Sequence, residues 1–291
     1  MKVNVFSLIL CVLCVTLLPL SLVSCIGDDR GECVQYDMSA KLVSRSGDTV
    51  PDTVARRSSA YLFINGMYER SIPAAADGRY HLGYNGCDAV SLVVFGDKDI
   101  HGFTLYPVTR GVSVSGTAVR IDSLLQPADT TLQSRLYYGN LDCSYISSEE
   151  NDSVNVCMYD RLARLHVIIS GDLTGFYGAG RFSVILGGLR NTLTYGGTVS
   201  GDTVSVALGL HRKQDGTFVS GTVATFQSSS PIRVTICRDG VPVSSTDEDS
   251  SSHPITVSEG DNKAIVITAG YGLFNIRVMP WDEYSSQNVC D

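Results

Sequence analysis

Nine cysteines and five histidines carry most of the chemistry open to this chain, and their spacing narrows it. Cys11 and Cys14 fall inside an apolar leader. Among Cys33, Cys87, Cys143, Cys157, Cys237 and Cys290 no two stand in the C-x-x-C spacing of zinc or redox sites. His81, His101, His166, His211 and His253 are scattered, and no H-E-x-x-H pattern occurs. No G-x-S-x-G elbow presents a serine nucleophile. Gly178-Ala179-Gly180 lacks the third glycine and the following helix of a dinucleotide site. Glu149-Glu150 reads as a solvated loop pair rather than acid–base machinery. The residues predict no catalytic centre, no metal and no cofactor, so the chain reads as a structural or binding protein and not an enzyme.

One cysteine does have a chemistry written into its surroundings. Met1-Lys2-Val3 is a short positive opening, Val5 to Leu22 is almost wholly apolar, and Leu22-Val23-Ser24-Cys25 closes the run, which is the layout of a secretory signal. Pro19 and a length barely enough for ~30 Å of hydrocarbon argue against a spanning helix. The closing four residues resemble a bacterial lipobox. That resemblance implies cleavage before Cys25 and a diacylglycerol on its sulfur. Cysteine counting agrees, because seven cysteines follow the leader and lipidation of Cys25 leaves an even six for disulfides in an oxidising compartment. A hairpin centred near Glu150 would oppose Cys143 and Cys157. Opposed residues have Cβ atoms about 4.5–5.5 Å apart, near the ~3.5–4.5 Å of a disulfide, so a Cys143–Cys157 bridge is expected.

Bulk composition bounds the partners. Net charge is −8 with no basic run, which excludes nucleic acid as a partner. Charged residues are 18% of the chain, below the ~25% of ordinary soluble domains. No second apolar segment of spanning length follows residue 25, so attachment to a membrane would be through lipid alone.

The elements that must carry these residues are strands. After a polar, acidic tether over residues 25–32, strand patterns recur at Val34–Val43, Ser59–Asn65, Met67–Ile72, Arg79–Leu82, Ala89–Phe95 and Gly111–Ile121. Asn65-Gly66, Asp77-Gly78, Asn85-Gly86 and Gly96-Asp97 separate them. Leu124 to Arg135 reads as an inserted helix or loop. A second series opens near Val154 and includes Arg161–Ile169, Gly180–Leu186, Thr192–Val199, Thr203–Leu210, Gly221–Phe226, Pro231–Arg238, Ala264–Ala269 and Leu273–Pro280, with Ser244–Ser252 a polar loop. Alternation puts Leu165, Val167 and Ile169 on one face, leaving His166 at the surface or between domains. Leu273 to Met279 admits two readings: a closing strand at home with Trp281 plugging the core, or a segment reaching into a neighbouring subunit. The expected fold is all-β, two β-sandwiches in series over residues 33–153 and 154–291, behind a signal peptide over residues 1–24.

Four stretches, in order, resemble the anchor-subunit family of type V fimbriae in Bacteroidetes. They are the acidic segment from Cys25 to Cys33, the aromatic strand and turn Tyr61-Leu62-Phe63-Ile64-Asn65-Gly66, the element Leu136-Tyr137-Tyr138-Gly139, and Arg161-Leu162-Ala163-Arg164-Leu165-His166-Val167. No cysteine stands directly before the strand Tyr61-Leu62-Phe63, where many relatives carry one, so the resemblance assigns no partner to Cys33. It implies two tandem transthyretin-like Greek-key sandwiches on a surface-exposed lipoprotein of the outer membrane. It also implies partners among fimbrial stalk subunits, joined by strand complementation.

Asp-(Ser/Thr)-(aliphatic or Thr) triplets resemble the O-glycosylation sequence of the same bacteria. They imply Thr49, Thr53, Ser123, Thr130, Ser153 and Thr203 as acceptors. A rival role within the fimbria is a stalk or tip subunit cut after an arginine, with Arg45 and Arg56-Arg57 suitably placed. A rival from another class is a surface glycan-binding lipoprotein, for which one tryptophan and fourteen tyrosines are the available platforms.

Overall fold

A computed structural model describes residues 35–50, 52–85, 88–96, 103–124, 135–143, 153–270 and 273–287. The fold is all-β, as expected, and three sheets make it.

The first sheet is built from β1 (Gln35–Ser44), β2 (Ser59–Ile64), β3 (Met67–Ile72), β4 (Tyr80–Asn85), β5 (Val90–Phe95), β8 (Tyr137–Asp142) and β9 (Ser153–Asp160). Their order across the sheet is β3-β2-β5-β8-β9-β1-β4. β8 and β9 share only Tyr137↔Asp160 and Tyr138↔Tyr159, and at this corner the sheet folds over on itself. Met38, Ala40 and Leu42 of β1 and Leu82 of β4 thereby meet Leu62 of β2 and Leu92 and Val94 of β5 in one core. Gly139 makes the corner possible, since a Cβ there would sit 2.6 Å from Met158 Sδ and 2.7 Å from Val156 Cγ1. A short helix α1 (Asp52–Arg57) is pinned beneath β4 by Tyr80, whose hydroxyl donates to the Ala55 carbonyl at 2.8 Å. Burial pushes that phenol up to about 12.

The second sheet contains β10 (Leu162–Gly171), β11 (Phe182–Leu189), β14 (Val204–Arg212), β15 (Phe218–Ser220), β16 (Val223–Phe226), β17 (Arg233–Arg238), β18 (Val241–Thr246), β19 (Asn262–Gly270) and β20 (Leu273–Pro280). Helix α2 (Leu173–Tyr177) follows β10, and α3 (Trp281–Gln287) follows β20. The order is β18-β17-β11-β14-β15-β10-β19-β20, with β16 also on β10. Leu165, Val167 and Ile169 of β10, Ile265 and Ile267 of β19, Val184 and Leu186 of β11 and Val234 and Ile236 of β17 fill its core.

The third sheet draws two strands from each series. β6 (Phe103–Leu105), β7 (Ala118–Ile121), β12 (Thr192–Thr194) and β13 (Val199–Ser200) pair in the order β13-β12-β7-β6. It lies over the outer face of β2 and β5, whose Phe63, Val93 and Phe95 pack against Val119, Ile121 and Leu193. β2 and β5 are therefore apolar on both faces, which is why their sequences run hydrophobic instead of alternating.

Three expectations are corrected. The strand expected from Gly111 to Ile121 begins only at Ala118, because Gly111 takes φ +86° and the chain turns there. Thr192–Val199 is a tight hairpin rather than one strand, with Gly197 at φ +81°. The strand near Val154 lies in the first sheet, where it runs parallel to β1 from Ser39↔Ser153 to Ser44↔Met158.

Candidate functional site

The features that could join this protein to others are its N-terminal strand, its sheet edges and its C-terminal helix, together with the seam that fixes them relative to one another. The signal segment, Cys25, the tether, Cys33, Cys87, Cys290 and Thr130 lie outside the described residues. β1, the first strand beyond the tether, is interior to its sheet. It pairs antiparallel with β4 from Gln35↔Asn85 to Ala40↔Tyr80 and parallel with β9 on its other side. Arg45 is exposed in the turn after β1, and Arg56 and Arg57 are exposed at the end of α1. Thr49, Ser123, Ser153 and Thr203 are exposed too, and Thr53 stands on α1.

The expected Cys143–Cys157 bridge is not made: both thiols and that of Cys237 are free. β8 and β9 pair antiparallel, but the register Tyr138↔Tyr159, continued, sets Asn140 rather than Cys143 across from Cys157. An odd shift reverses faces. Cys143 points into the core and Cys157 to solvent. Burial pushes the Cys143 thiol up to about 12. Native protein treated with iodoacetamide is expected to label Cys157 while Cys143 and Cys237 react only after unfolding, as peptide mass mapping would read.

A sheet edge is a template for another chain unless something blunts it. Tyr68 of β3 donates to the Val112 carbonyl at 2.8 Å and accepts from Gly111 N–H at 2.9 Å, so a loop covers that edge. β18 carries Pro242, and a bulge interrupts its pairing with β17 at Ile236/Cys237. β20 pairs with β19 along its length, from Lys263↔Pro280 to Gly270↔Leu273, which is the closing-strand reading of the sequence. Its outer edge is clamped at Ile276, which donates to Ser250 Oγ at 2.7 Å and accepts from Ser250 N–H at 2.9 Å. The polar serine loop thus closes the last strand, a role its composition does not announce. β4 carries neither proline nor bulge; the Arg70 guanidinium reaches its Gly83 carbonyl at 3.4 Å.

Between the first and second sheets lies an aromatic seam. Tyr195, in the hairpin turn after β12, is fully buried with ring centroids 4.9 Å from both Tyr61 and Phe95 and 6.2 Å from Phe63. Its carbonyl accepts from the Tyr138 hydroxyl at 3.0 Å. Arg161, only 6% exposed, donates to the Gly197 carbonyl at 2.6 Å, pairs with Glu259 at 3.0 Å, and lies 5.2 Å over the Tyr138 ring. The aromatics of the Tyr61–Gly66 and Leu136–Gly139 motifs and the arginine opening the Arg161 motif are thus one structure. Tyr195 is not singled out by the sequence reading, which runs one strand through it from Thr192 to Val199; the available signal is a tyrosine directly before Gly196-Gly197.

At the C-terminal end, Trp281 does not plug the core. It opens α3 and stacks on His166 with centroids 3.8 Å apart and planes at 22°. His166 is accordingly buried under the helix, not at the surface. Both faces of β10 are covered, one by the core and one by α3, so alternation misassigned the histidine. His81, His211 and His253 are exposed and apart, and no group of three metal-ligating side chains occurs among the described residues. Tyr106, 38% exposed, is the one exposed aromatic among them.

The sequence signature of the fimbrillin-A associated anchor proteins Mfa1 and Mfa2 matches residues 120–287. No curated protein matches the chain. The solved fimbrial anchor protein Mfa2 from Porphyromonas gingivalis aligns with a TM-score of 0.58, at 11% identity, over 85% of this chain and 98% of that one. A candidate adhesin from Bacteroides thetaiotaomicron gives 0.55 at 14% identity, over 87% and 98%. A candidate polysaccharide-binding protein from the same organism gives 0.57 at 10% identity, over 84% and 95%.

Proposed function

Because the chain belongs to the family of fimbrillin-A associated anchor proteins Mfa1 and Mfa2, we propose that it is the lipid-anchored subunit holding a fimbria to the outer membrane. One observation supports the anchor role most: the strand nearest the tether is interior, bonded on both sides, so a lipid at Cys25 would be tied into the fold rather than hung from a fringe. Among the described residues no helix is long and apolar enough to cross a membrane.

The neighbouring subunit joins by strand addition. A guest strand satisfies a row of N–H and C=O groups while its alternate side chains set specificity. The edge of β4, regular and without proline, suits such a guest better than the clamped edge of β20. Assembly is protein–protein chemistry without a catalytic step. Exposed Thr49, Ser123, Ser153 and Thr203 are available to glycosylation.

Cys25→Ala is expected to abolish incorporation of labelled fatty acid and to leave intact fimbriae shed into the medium. Unchanged labelling overturns the anchor reading. Exposed Arg45, directly after β1, favours a second reading as a stalk subunit whose first strand is cut away. N-terminal sequencing of protein from its native membrane separates the two: a blocked Cys25 belongs to the anchor, a free Ser46 to the stalk.

A further inference from the structure

We propose that Cys33 and Cys87 form a disulfide that locks the tether end of β1 to β4. Both cysteines lie outside the described residues, but the ladder that leads to them is described. β1 and β4 pair antiparallel in one unbroken register, from Ala40↔Tyr80 through Met38↔Leu82 to Gln35↔Asn85. Each step back along β1 is one step forward along β4. Two steps past Gln35↔Asn85 the sequence has Cys33 on one strand and Cys87 on the other. Directly opposed residues of an antiparallel pair have Cα atoms about 4.5 or 5.5 Å apart, and a disulfide accepts roughly 4.4–6.8 Å. In this register the two positions share the parity of exposed Asp37 and His81, so the bridge displaces nothing from the core.

Described residues hold Cys87 close from its other side. Asp88 Oδ1 accepts from Asn65 Nδ2 at 2.9 Å, and Ala89 N–H donates to Asn65 Oδ1 at 3.0 Å. Gly86 alone separates Cys87 from the paired Asn85, and consecutive Cα atoms are about 3.8 Å apart. The other described cysteines do not meet Cys33. Cys157 stands opposite Val43, near the far end of β1, about 33 Å along at roughly 3.3 Å per residue. Cys143 points into the core of the first sheet, and Cys237 is buried in the second.

Pairing needs an oxidant, and a thiol–disulfide oxidoreductase of an oxidising compartment supplies it. One thiolate attacks the oxidant's disulfide, and the second displaces the oxidant from the mixed disulfide. Cys33 and Cys87 lose two protons and two electrons, and the oxidant leaves as its dithiol. The use of the bond rests on the anchor reading. Exposed Arg45, Arg56 and Arg57 all lie between the two cysteines, so a cut at any of them leaves Cys33 on the released piece and Cys87 on the body. With the bridge made, β1 stays on the body after the cut, and the strand removal that a stalk subunit needs is barred.

The test takes the full mature protein from its native membrane with free thiols blocked by N-ethylmaleimide. Non-reduced peptide mapping is expected to return Cys33 and Cys87 as one linked pair. After an arginine-specific protease has cut the native protein, the piece carrying Cys33 should stay with the body on a denaturing gel and leave only with dithiothreitol. Cys87→Ser should release that piece without reductant. Three results overturn the bridge: both cysteines recovered with the blocking group, either one linked to a third cysteine, or the piece released without reductant from the unmodified chain. The map needs no variant, so misfolding of Cys87→Ser leaves the bridge decided by the unmodified protein. Failure of the anchor reading shows separately, in unchanged fatty-acid labelling of Cys25→Ala, whatever the map returns.

Discussion

Tyr195→Ala is expected to lower stability by about 3–5 kcal/mol, the range for emptying a buried aromatic site. The phenol fills a seam between two series of strands, ringed by Tyr61, Phe63 and Phe95. Its backbone groups keep their partners in the variant, because Tyr195 N–H donates to Thr117 and its carbonyl still accepts from Tyr138. The loss is one of packing, together with the hydrogen bond that the Tyr195 hydroxyl donates to the Tyr106 carbonyl at 3.4 Å. It has a signature beyond a lower midpoint: the seam couples two cores of otherwise separate residues, so a single denaturant transition should broaden or split into two. Fluorescence of Trp281 set against total circular dichroism would show this, as the tryptophan reports the second sheet alone. A variant that keeps one sharp transition within about 1 kcal/mol of the original would show that the seam is not a coupling element.

Gly171→Ala is expected to be comparably severe, by at least about 3 kcal/mol, through strain and overpacking rather than a cavity. Gly171 ends β10 at φ +96°, and a Cβ there would lie 1.8 Å from the carbonyl oxygen of Ala269. That oxygen belongs to β19, which runs parallel to β10 with Gly171 opposite Ala269, so neither strand can yield without breaking the pairing. The contrast is Gly66, at φ +76° in the hairpin turn with nothing within 4 Å of its Cβ position. Gly66→Ala should cost only about 1 kcal/mol, the conformational part alone. Equal effects in urea denaturation would mean that the β19 contact yields after all.

How far the sequence reaches can be judged from single residues. Tyr61 and Phe63 mark a strand plainly, and Asn65-Gly66 marks its turn; the structure has both, with Asn65 at φ +53°. What they cannot reveal is that the strand is apolar on two faces because a third sheet, half of it from distant residues, covers the second. His166 fails for the same reason, since alternation reports one buried face and β10 has two. The cysteine pair fails on register, which two ladder contacts at the far end of the hairpin set and no local residue announces. The lipobox reading rests on four neighbouring residues alone and lies outside the described residues. Local chemistry and strand existence are written in neighbours; faces, registers and seams are written between residues a hundred positions apart.

The course of β1 has a mechanical consequence. It lies beside β9 in parallel, and β9 passes at Asp160 and Arg161 straight into β10 and the second sheet. Tension entering at the start of β1 and leaving through the end of β9 drags the two strands past each other along their lengths. Every rung between Ser39↔Ser153 and Ser44↔Met158 is then strained at once, instead of parting singly as in a zip. Forced separation is a matter of rate, and shear of a whole ladder is the slow way for two strands to part. If the chain serves as the proposed anchor, a pull on the fimbria loads β1 and β9 in the direction the fold resists longest.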